Sequence, residues 1–166
     1  MKKIVIIALI IFVLLIQNNE KNIVIPQESI RFRIIANSNS KEDQTLKFAI
    51  AKDLTTNTFT NLNNVKNIDD SRIQIKNSIP LIETTLNKYN TKYNINYGYN
   101  YFPNKTYKGI EYDSGNYESL VITLGDGSGE NFWCVLFPPL CLLEGQTNDT
   151  SEVEYRSLIK DILDRF

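Results

Sequence analysis

The stretch ESIRFRIIANSNSKED, residues 28–43, carries the signals that decide the fold. In its first half, Ile30, Phe32 and Ile34 alternate with Arg31 and Arg33, and this period of two predicts a half-buried strand. The two arginines then share the outer face of that strand. A solvated face is the plainer interpretation of such a pair, and a face that binds a partner is the alternative.

A helix is predicted directly after this strand. Ser40 followed by Asp43 fits a capping box, in which both side chains cover free backbone N–H groups. Apolar residues spaced by three and four then predict a core-facing helix over residues 41–59. Lys47 and Lys52 of this helix extend the basic character of the outer face.

The rest of the chain changes its hydrophobic period twice. A second helix is expected from about residue 69 to residue 86, with a kink or a junction of two helices at Pro80. Alternating patterns then predict strands at Tyr93–Tyr101, at residues 118–125 and at residues 131–137, and an amphipathic helix capped by Ser151 ends the chain. This order predicts an α+β fold, with a mostly antiparallel sheet and helices packed on one face.

The glycine-rich segment GDGSG, residues 125–129, resembles a phosphate-binding loop only superficially. A phosphate-binding loop needs a following Lys-Ser/Thr pair and a helix, whereas this segment leads into a strand. A hairpin turn with positive φ angles is the favoured interpretation.

The first residues of the chain, MKKIVIIALIIFVLLIQNN, have the layout of an export signal. A basic start precedes an unbroken apolar run, residues 4–16, which is short for a permanent membrane span. Because no small-residue cleavage site follows, residues 1–21 are either a signal peptide or an uncleaved anchor that associates with the membrane through residues 4–16. A single α+β domain is expected over residues 28–166.

Composition excludes several classes of function. The 166 residues include no histidine, so serine or cysteine catalysis of the usual histidine-assisted kind is excluded. A formal net charge of −1 gives no reason to expect nucleic acid as a partner. The residues show no catalytic constellation, and we expect no metal, no cofactor and no small-molecule substrate.

The segment NFWCVLFPPLC, residues 131–141, contains the only tryptophan and both cysteines. If the two prolines turn the chain, Cys134 and Cys141 lie opposite each other within reach of a disulfide, and two buried thiols are the alternative. Trp133 is then expected at the base of a hairpin whose tip is rigid and apolar. That tip either docks on a partner or closes the core.

Two blocks of the sequence carry a resemblance to a known family. IRFRIIANSNSKEDQTLKFAI (residues 30–50) and YFPNKTYKGIEYDSGNYESLVITLGDGSGENFWCVLFPPLC (residues 101–141) resemble the stage II sporulation protein R family of endospore-forming bacteria. The resemblance extends from about Ser29 to Leu143. Phe132 stands where a first tryptophan is common in the family, and Tyr112-Asp113-Ser114-Gly115 where Tyr-Pro-Ala-Gly is common.

The resemblance implies a signalling protein, not an enzyme, that is exported into the space between forespore and mother cell. There it would activate a membrane-embedded aspartic protease, which processes the inactive precursor of sigma-E. The alternatives are an envelope hydrolase acting on peptidoglycan and a wall- or lipid-binding module, the latter favoured by the tyrosine-rich strand. The residues expected to contact the partner are Arg31, Arg33, Asn37, Trp133, Phe137, Pro138, Pro139 and Leu140.

Overall fold

A computed structural model describes residues 23–107, 110–141 and 159–165. The strands are β1 (Ile23–Val24), β2 (Ile30–Ile35), β3 (Tyr93–Phe102), β4 (Lys105–Tyr107), β5 (Ile110–Tyr112), β6 (Gly115–Leu124) and β7 (Asn131–Phe137). The helices are α1 (Lys41–Asp53) and α2 (Ile68–Asn87), joined by a π-helical turn (Leu54–Thr58) and a 3₁₀ segment (Phe59–Asn64). Residues 159–163 are also helical. The α+β class is confirmed, whereas the export signal and the Ser151 cap lie outside the described residues.

The main sheet has four strands in the order β3-β6-β2-β7. The two outer pairings, β3 with β6 and β2 with β7, are antiparallel, but the central pairing of β2 with β6 is parallel. The sheet is therefore mixed, and the expectation of a mostly antiparallel sheet missed its central pairing. A parallel pair needs a long crossover, which α1, α2 and β3 provide between β2 and β6.

One face of this sheet packs against α1 and α2. Phe32 and Ile34 of β2 are fully buried there, and Phe32 meets the ring of Phe59 edge to face, with centroids 5.2 Å apart. The strand alternation therefore identified the core face correctly. Other buried members of the same cluster are Ile50, Leu54, Ile75, Ile82, Leu86, Leu120, Ile122, Leu124 and Leu136.

The opposite face of the sheet is covered as well. A three-stranded sheet of order β1-β5-β4 accompanies a second apolar cluster, in which Val135 of β7 packs with Ile25, Tyr112, Leu140 and Ile159. The prediction of helices on one face holds for α1 and α2. It was wrong to treat the other face as solvent, because short strands from residues 105–112, read as a loop in the sequence, build a third layer.

Local signals around α1 agree with the structure at its start and differ at its end. Ser40 is the N-cap, and its Oγ accepts the Asp43 N–H at 3.1 Å. The helix ends at Asp53, earlier than predicted, and the hydroxyl of Thr55 donates to the carbonyl of Ala51 at 2.9 Å. Such bonds offer the backbone an alternative to α-helical pairing, consistent with the π-helical turn that follows.

Two further expectations are corrected by the backbone. α2 continues through Pro80 as one helix, so two separate helices do not form there. The glycine loop has the expected positive φ angles at Gly125 and Gly127, but it is not a hairpin. It connects β6 to β7 past the end of β2, which lies between them.

Within the described ranges, no helix is both long enough and apolar enough to span a membrane. Residues 4–16 precede the first described residue, Ile23.

Candidate functional site

Arg31 lies on the sheet face opposite α1 and α2, and only 1% of it is exposed. Its guanidinium carbon sits 3.3 Å from the ring centroid of Tyr117, 5.4 Å from that of Phe102 and 5.9 Å from that of Tyr112. One nitrogen, Nη1, donates to the carbonyl of Asp113 at 3.3 Å. The side chain thus joins the main sheet to the segment that follows β5, and the expectation of a solvated arginine was wrong here.

The environment of Arg31 is short of hydrogen-bond acceptors. Its Nε and Nη2 are buried, and the described residues offer neither atom a partner. Burial lowers the pKa of Arg31, against smaller opposing contributions from Tyr117 and Tyr112, although an arginine remains protonated under all ordinary conditions. The three rings compensate the charge in place of a carboxylate, because a cation is attracted to the face of an aromatic ring.

Arg33 and Trp133, by contrast, are half-buried on the same face and pair across the β2–β7 ladder. The guanidinium carbon of Arg33 lies 4.8 Å from the ring centroid of Phe102, and its Nη1 donates to the Tyr101 carbonyl at 3.5 Å. The ring of Trp133 meets that of Phe102 edge to face, with centroids 5.4 Å apart.

Lys105 completes this surface. Its Nζ lies 4.9 Å from the ring centroid of Trp133. We call Arg33, Lys105 and Trp133 the basic-aromatic face, and the ring of Phe102, only 1% exposed, lies beneath it. Two cations held over aromatic rings can attract carboxylates and also present apolar area, which is the composition common at the centre of protein interfaces.

Asn37 has an internal role that the sequence did not reveal. Its Oδ1 accepts the Asp126 N–H at 2.9 Å, and its Nδ2 donates to Oδ2 of Asp43 at 2.9 Å. Its carbonyl accepts the Ser128 N–H at 3.0 Å. Asn37 therefore links the glycine loop to the start of α1 by hydrogen bonds, and both the oxygen and the nitrogen of its amide are bonded within the chain. We call these bonds the Asn37 network.

Asp43 belongs to the Asn37 network and does not complete the capping box. Its carboxylate accepts hydrogen bonds from the hydroxyl of Ser38 at 2.5 Å and from Asn37. These bonds, that from Ser38 first, lower the pKa of Asp43. The Ser40 N–H that the box would satisfy is bound by Ser38 Oγ at 3.1 Å. The predicted cap is thus confirmed for Ser40, whereas the reciprocal bond from Asp43 is absent.

Lys47 also departs from the basic outer face on which it was placed. It is 1% exposed, and its Nζ donates to the Glu130 carbonyl at 3.0 Å and to Oε1 of Gln44 at 2.5 Å. Burial lowers its pKa. The ammonium fastens α1 to the residue that precedes β7, so its role is internal.

Cys134 and Cys141 form a disulfide, with α-carbons 5.4 Å apart. The bond joins β7 to the residue after a turn at residues 138–140, and the Phe137–Pro138 peptide is cis. The expected cross-link is therefore present.

The tip that the disulfide encloses is not an exposed docking element. Phe137 is 7% exposed and Leu140 2%, while Pro138 and Pro139 are buried as well. Of the two alternatives, this segment closes the core. These four residues are buried in this structure, whereas Arg33, Asn37 and Trp133 of the predicted contact set are half-buried.

The described residues hold no group of three or more His, Cys, Asp or Glu side chains that could bind a metal ion.

The aromatic rings around Arg31 were not predicted from the sequence. Ser119 of β6 is paired with Arg31 of β2, and Asn100 of β3 is paired with Tyr117. Tyr117 lies two positions before Ser119, so its ring is on the same face of the sheet as Arg31. This spacing of two was the signal that could have identified Tyr117.

Comparison with known proteins decides the family. The family model described as stage II sporulation protein R matches residues 26–147. The chain belongs to the stage II sporulation protein R family. A curated relative, the stage II sporulation protein R of Bacillus subtilis (strain 168), is 38% identical over an alignment of 163 residues. The match covers 87% of this chain and 73% of the relative. No solved structure matches significantly.

Family membership confirms the resemblance carried by the two sequence blocks. The matched region includes both the Asn37 network and the disulfide segment. The description shared by the family and the relative names a sporulation protein and not a class of enzyme, in agreement with what the resemblance implies.

Proposed function

We propose that this chain is an exported signalling protein of sporulation. In this proposal it activates a membrane-embedded aspartic protease, which then processes the pro-sigma-E precursor in the mother cell. The observation that carries the proposal is the family match over residues 26–147. The basic start and the apolar run of residues 4–16 support export into the space between forespore and mother cell.

The basic-aromatic face is the surface we assign to the protease contact. Arg33 and Trp133 are half-buried residues of the predicted contact set, and they lie side by side on neighbouring strands. Both are mounted on a sheet that is packed on its other face, so little conformational entropy is lost when a partner binds. An interface there would combine aromatic area with the charge of Arg33 and Lys105.

The decisive experiment is reconstitution in a bacterium that does not sporulate. The full-length chain, the candidate protease and the sigma precursor are expressed in every combination, and precursor cleavage is followed by immunoblot. We expect cleavage only when all three are present. Cleavage without the protease would show that the chain cuts the precursor itself, and no cleavage with all three would refute activation.

Export is tested in the same system. Replacing Ile10 and Leu14 with aspartate should retain the protein in the cytoplasm and abolish cleavage, because the apolar run drives membrane insertion. Exchanging the same residues conservatively, Ile10→Leu with Leu14→Ile, is the matched control and should change nothing. Normal cleavage by the aspartate variant, with the protein demonstrably retained in the cytoplasm, would contradict the proposed location.

A further inference from the structure

A polar cavity lies at the N-terminal end of α2, apart from the basic-aromatic face. Its volume is about 280 Å³, and its walls come from the chain before β2, the first turns of α2, β3 and the start of β6. This is near the lower limit of pockets that take small molecules, and it suits one side chain of a partner. The side chains that decide its chemistry are Glu28, Ser29, Arg72, Tyr99 and Glu118.

Among the described residues that line this cavity, the one cation, Arg72, is already neutralised. Arg72 donates from Nε and Nη2 to the carboxylate of Glu118, the shortest of these bonds being 2.8 Å, and from Nη1 to Oδ1 of Asp69 at 2.6 Å. The hydroxyl of Tyr97 donates to the same Glu118 at 2.6 Å. Each nitrogen of the guanidinium therefore already bonds a carboxylate, and the charge of Arg72 is compensated within the chain.

Glu118 stays charged within this network. Burial raises its pKa, but hydrogen bonds from Arg72 and Tyr97 more than offset that effect and bring the pKa below its usual value. The same network raises the pKa of Arg72, chiefly through the bonds to Glu118. Asp69 also pairs with Arg72, and Glu28 lines the cavity, so three carboxylates outnumber the two cations that interact with Glu118, Arg72 and Lys76.

Two wall groups have unused binding capacity. Ser29 is 2% exposed, and its Oγ has no hydrogen-bond partner among the described residues. A buried hydroxyl without a partner is costly, and such groups in native proteins usually have a function or a ligand. The carboxylate of Glu28 is exposed and makes no ion pair within the described part of the chain. The ring of Tyr99, 75% exposed, flanks the opening.

We propose that this cavity binds the basic side chain of a partner protein, a lysine or an arginine. An ammonium or guanidinium supplies several donors and no acceptor, which matches the free capacity of Ser29 Oγ and of Glu28. The ring of Tyr99 stabilises a cation that enters beside it. The cavity binds a positively charged group of the partner, whereas the basic-aromatic face attracts negatively charged groups. The cavity is therefore a second, independent recognition site.

Direct titration tests the site whether or not the proposed function holds. The full-length, isotopically labelled chain in nonionic detergent is titrated with N-acetyl-lysine methylamide, and amide chemical shifts around the cavity are recorded. We expect saturable shifts at Ser29 and Glu118, with a dissociation constant on the order of millimolar for so small a probe. N-acetyl-norleucine methylamide, which has a similar stem without the charge, should shift these amides far less.

Variants of the walls sharpen the result. Glu28→Gln and Ser29→Ala should each weaken binding of the lysine probe about tenfold, because the first removes a negative charge and the second removes a hydroxyl acceptor. Glu83→Gln, on the exposed surface of α2 away from the cavity, is the matched control and should bind like the wild type. Equal shifts with norleucine, preference for N-acetyl-glutamate methylamide, or unchanged binding by Glu28→Gln would each overturn the proposal.

Discussion

Replacement of Arg31 tests whether this residue belongs to the core or to an interface. We expect Arg31→Ala to lower the free energy of unfolding by about 3 kcal/mol, since truncation of large buried side chains leaves a cavity and costs about 2–5 kcal/mol. A desolvated cation over an aromatic ring contributes about 2 kcal/mol to that loss, and the bond to the Asp113 carbonyl contributes about 1.5 kcal/mol. Relief of the desolvation of the guanidinium offsets part of the total.

Arg31→Met separates packing from charge. The methionine stem refills most of the space between Tyr117 and Phe102, and no ion pair is broken, because none to Arg31 exists within the described residues. We therefore expect Arg31→Met to stay within about 1 kcal/mol of the wild type. Arg33→Ala, at a half-buried position on the same strand, is the matched control and should cost less than about 1 kcal/mol.

The assay is urea unfolding of the full-length chain in nonionic detergent, followed by fluorescence. Trp133 is the only tryptophan of the sequence and lies on the same sheet face as Arg31, so its emission reports directly on this layer. If Arg31→Ala unfolds within about 0.5 kcal/mol of the wild type, a typical surface effect, the buried role is refuted. A greater loss for Arg31→Met than for Arg31→Ala would refute the packing argument.

Three further predictions concern the Ser40 N-cap, the disulfide and the charge of Asp43. Ser40→Ala should destabilise the protein by about 1 kcal/mol through loss of the N-cap, whereas Ser40→Asp, which restores an acceptor, should recover most of it in the same unfolding assay. The double variant Cys134→Ala/Cys141→Ala should lose about 2.5 kcal/mol, as expected for a bond that closes a short loop, and a reductant that destabilises the wild type should leave this variant unchanged. Because hydrogen bonds lower the folded-state pKa of Asp43, its contribution to stability is complete above its unfolded value, about 3.9, and is lost as the pH falls through the lower folded value. Asp43→Asn should therefore show a weaker loss of stability below about pH 4 than the wild type, and parallel pH profiles would contradict this.

Local sequence signals predicted what depends on neighbours along the chain. The Ser40 cap needs only a hydroxyl three residues before a free N–H, and the alternation of β2 needs only a period of two, so both could be recognised directly. The disulfide was predictable for the same reason, since Cys134 and Cys141 are separated by seven positions. Specific motifs at fixed spacing also identify the family from the sequence.

The tertiary structure alone decided what covers each face and which strands are neighbours. Alternation placed Arg31 opposite Phe32 correctly, but its burial depends on an aromatic cage and on the Asp113 carbonyl, 82 positions away. Lys47 is likewise buried by Glu130, 83 positions away, and β2 separates β6 from β7 although the loop between those strands is short. A periodic pattern records which side chains share a face, because that follows from backbone geometry. The partners that bury the face are chosen by packing and hydrogen bonding between distant segments, and those energies depend on the whole fold.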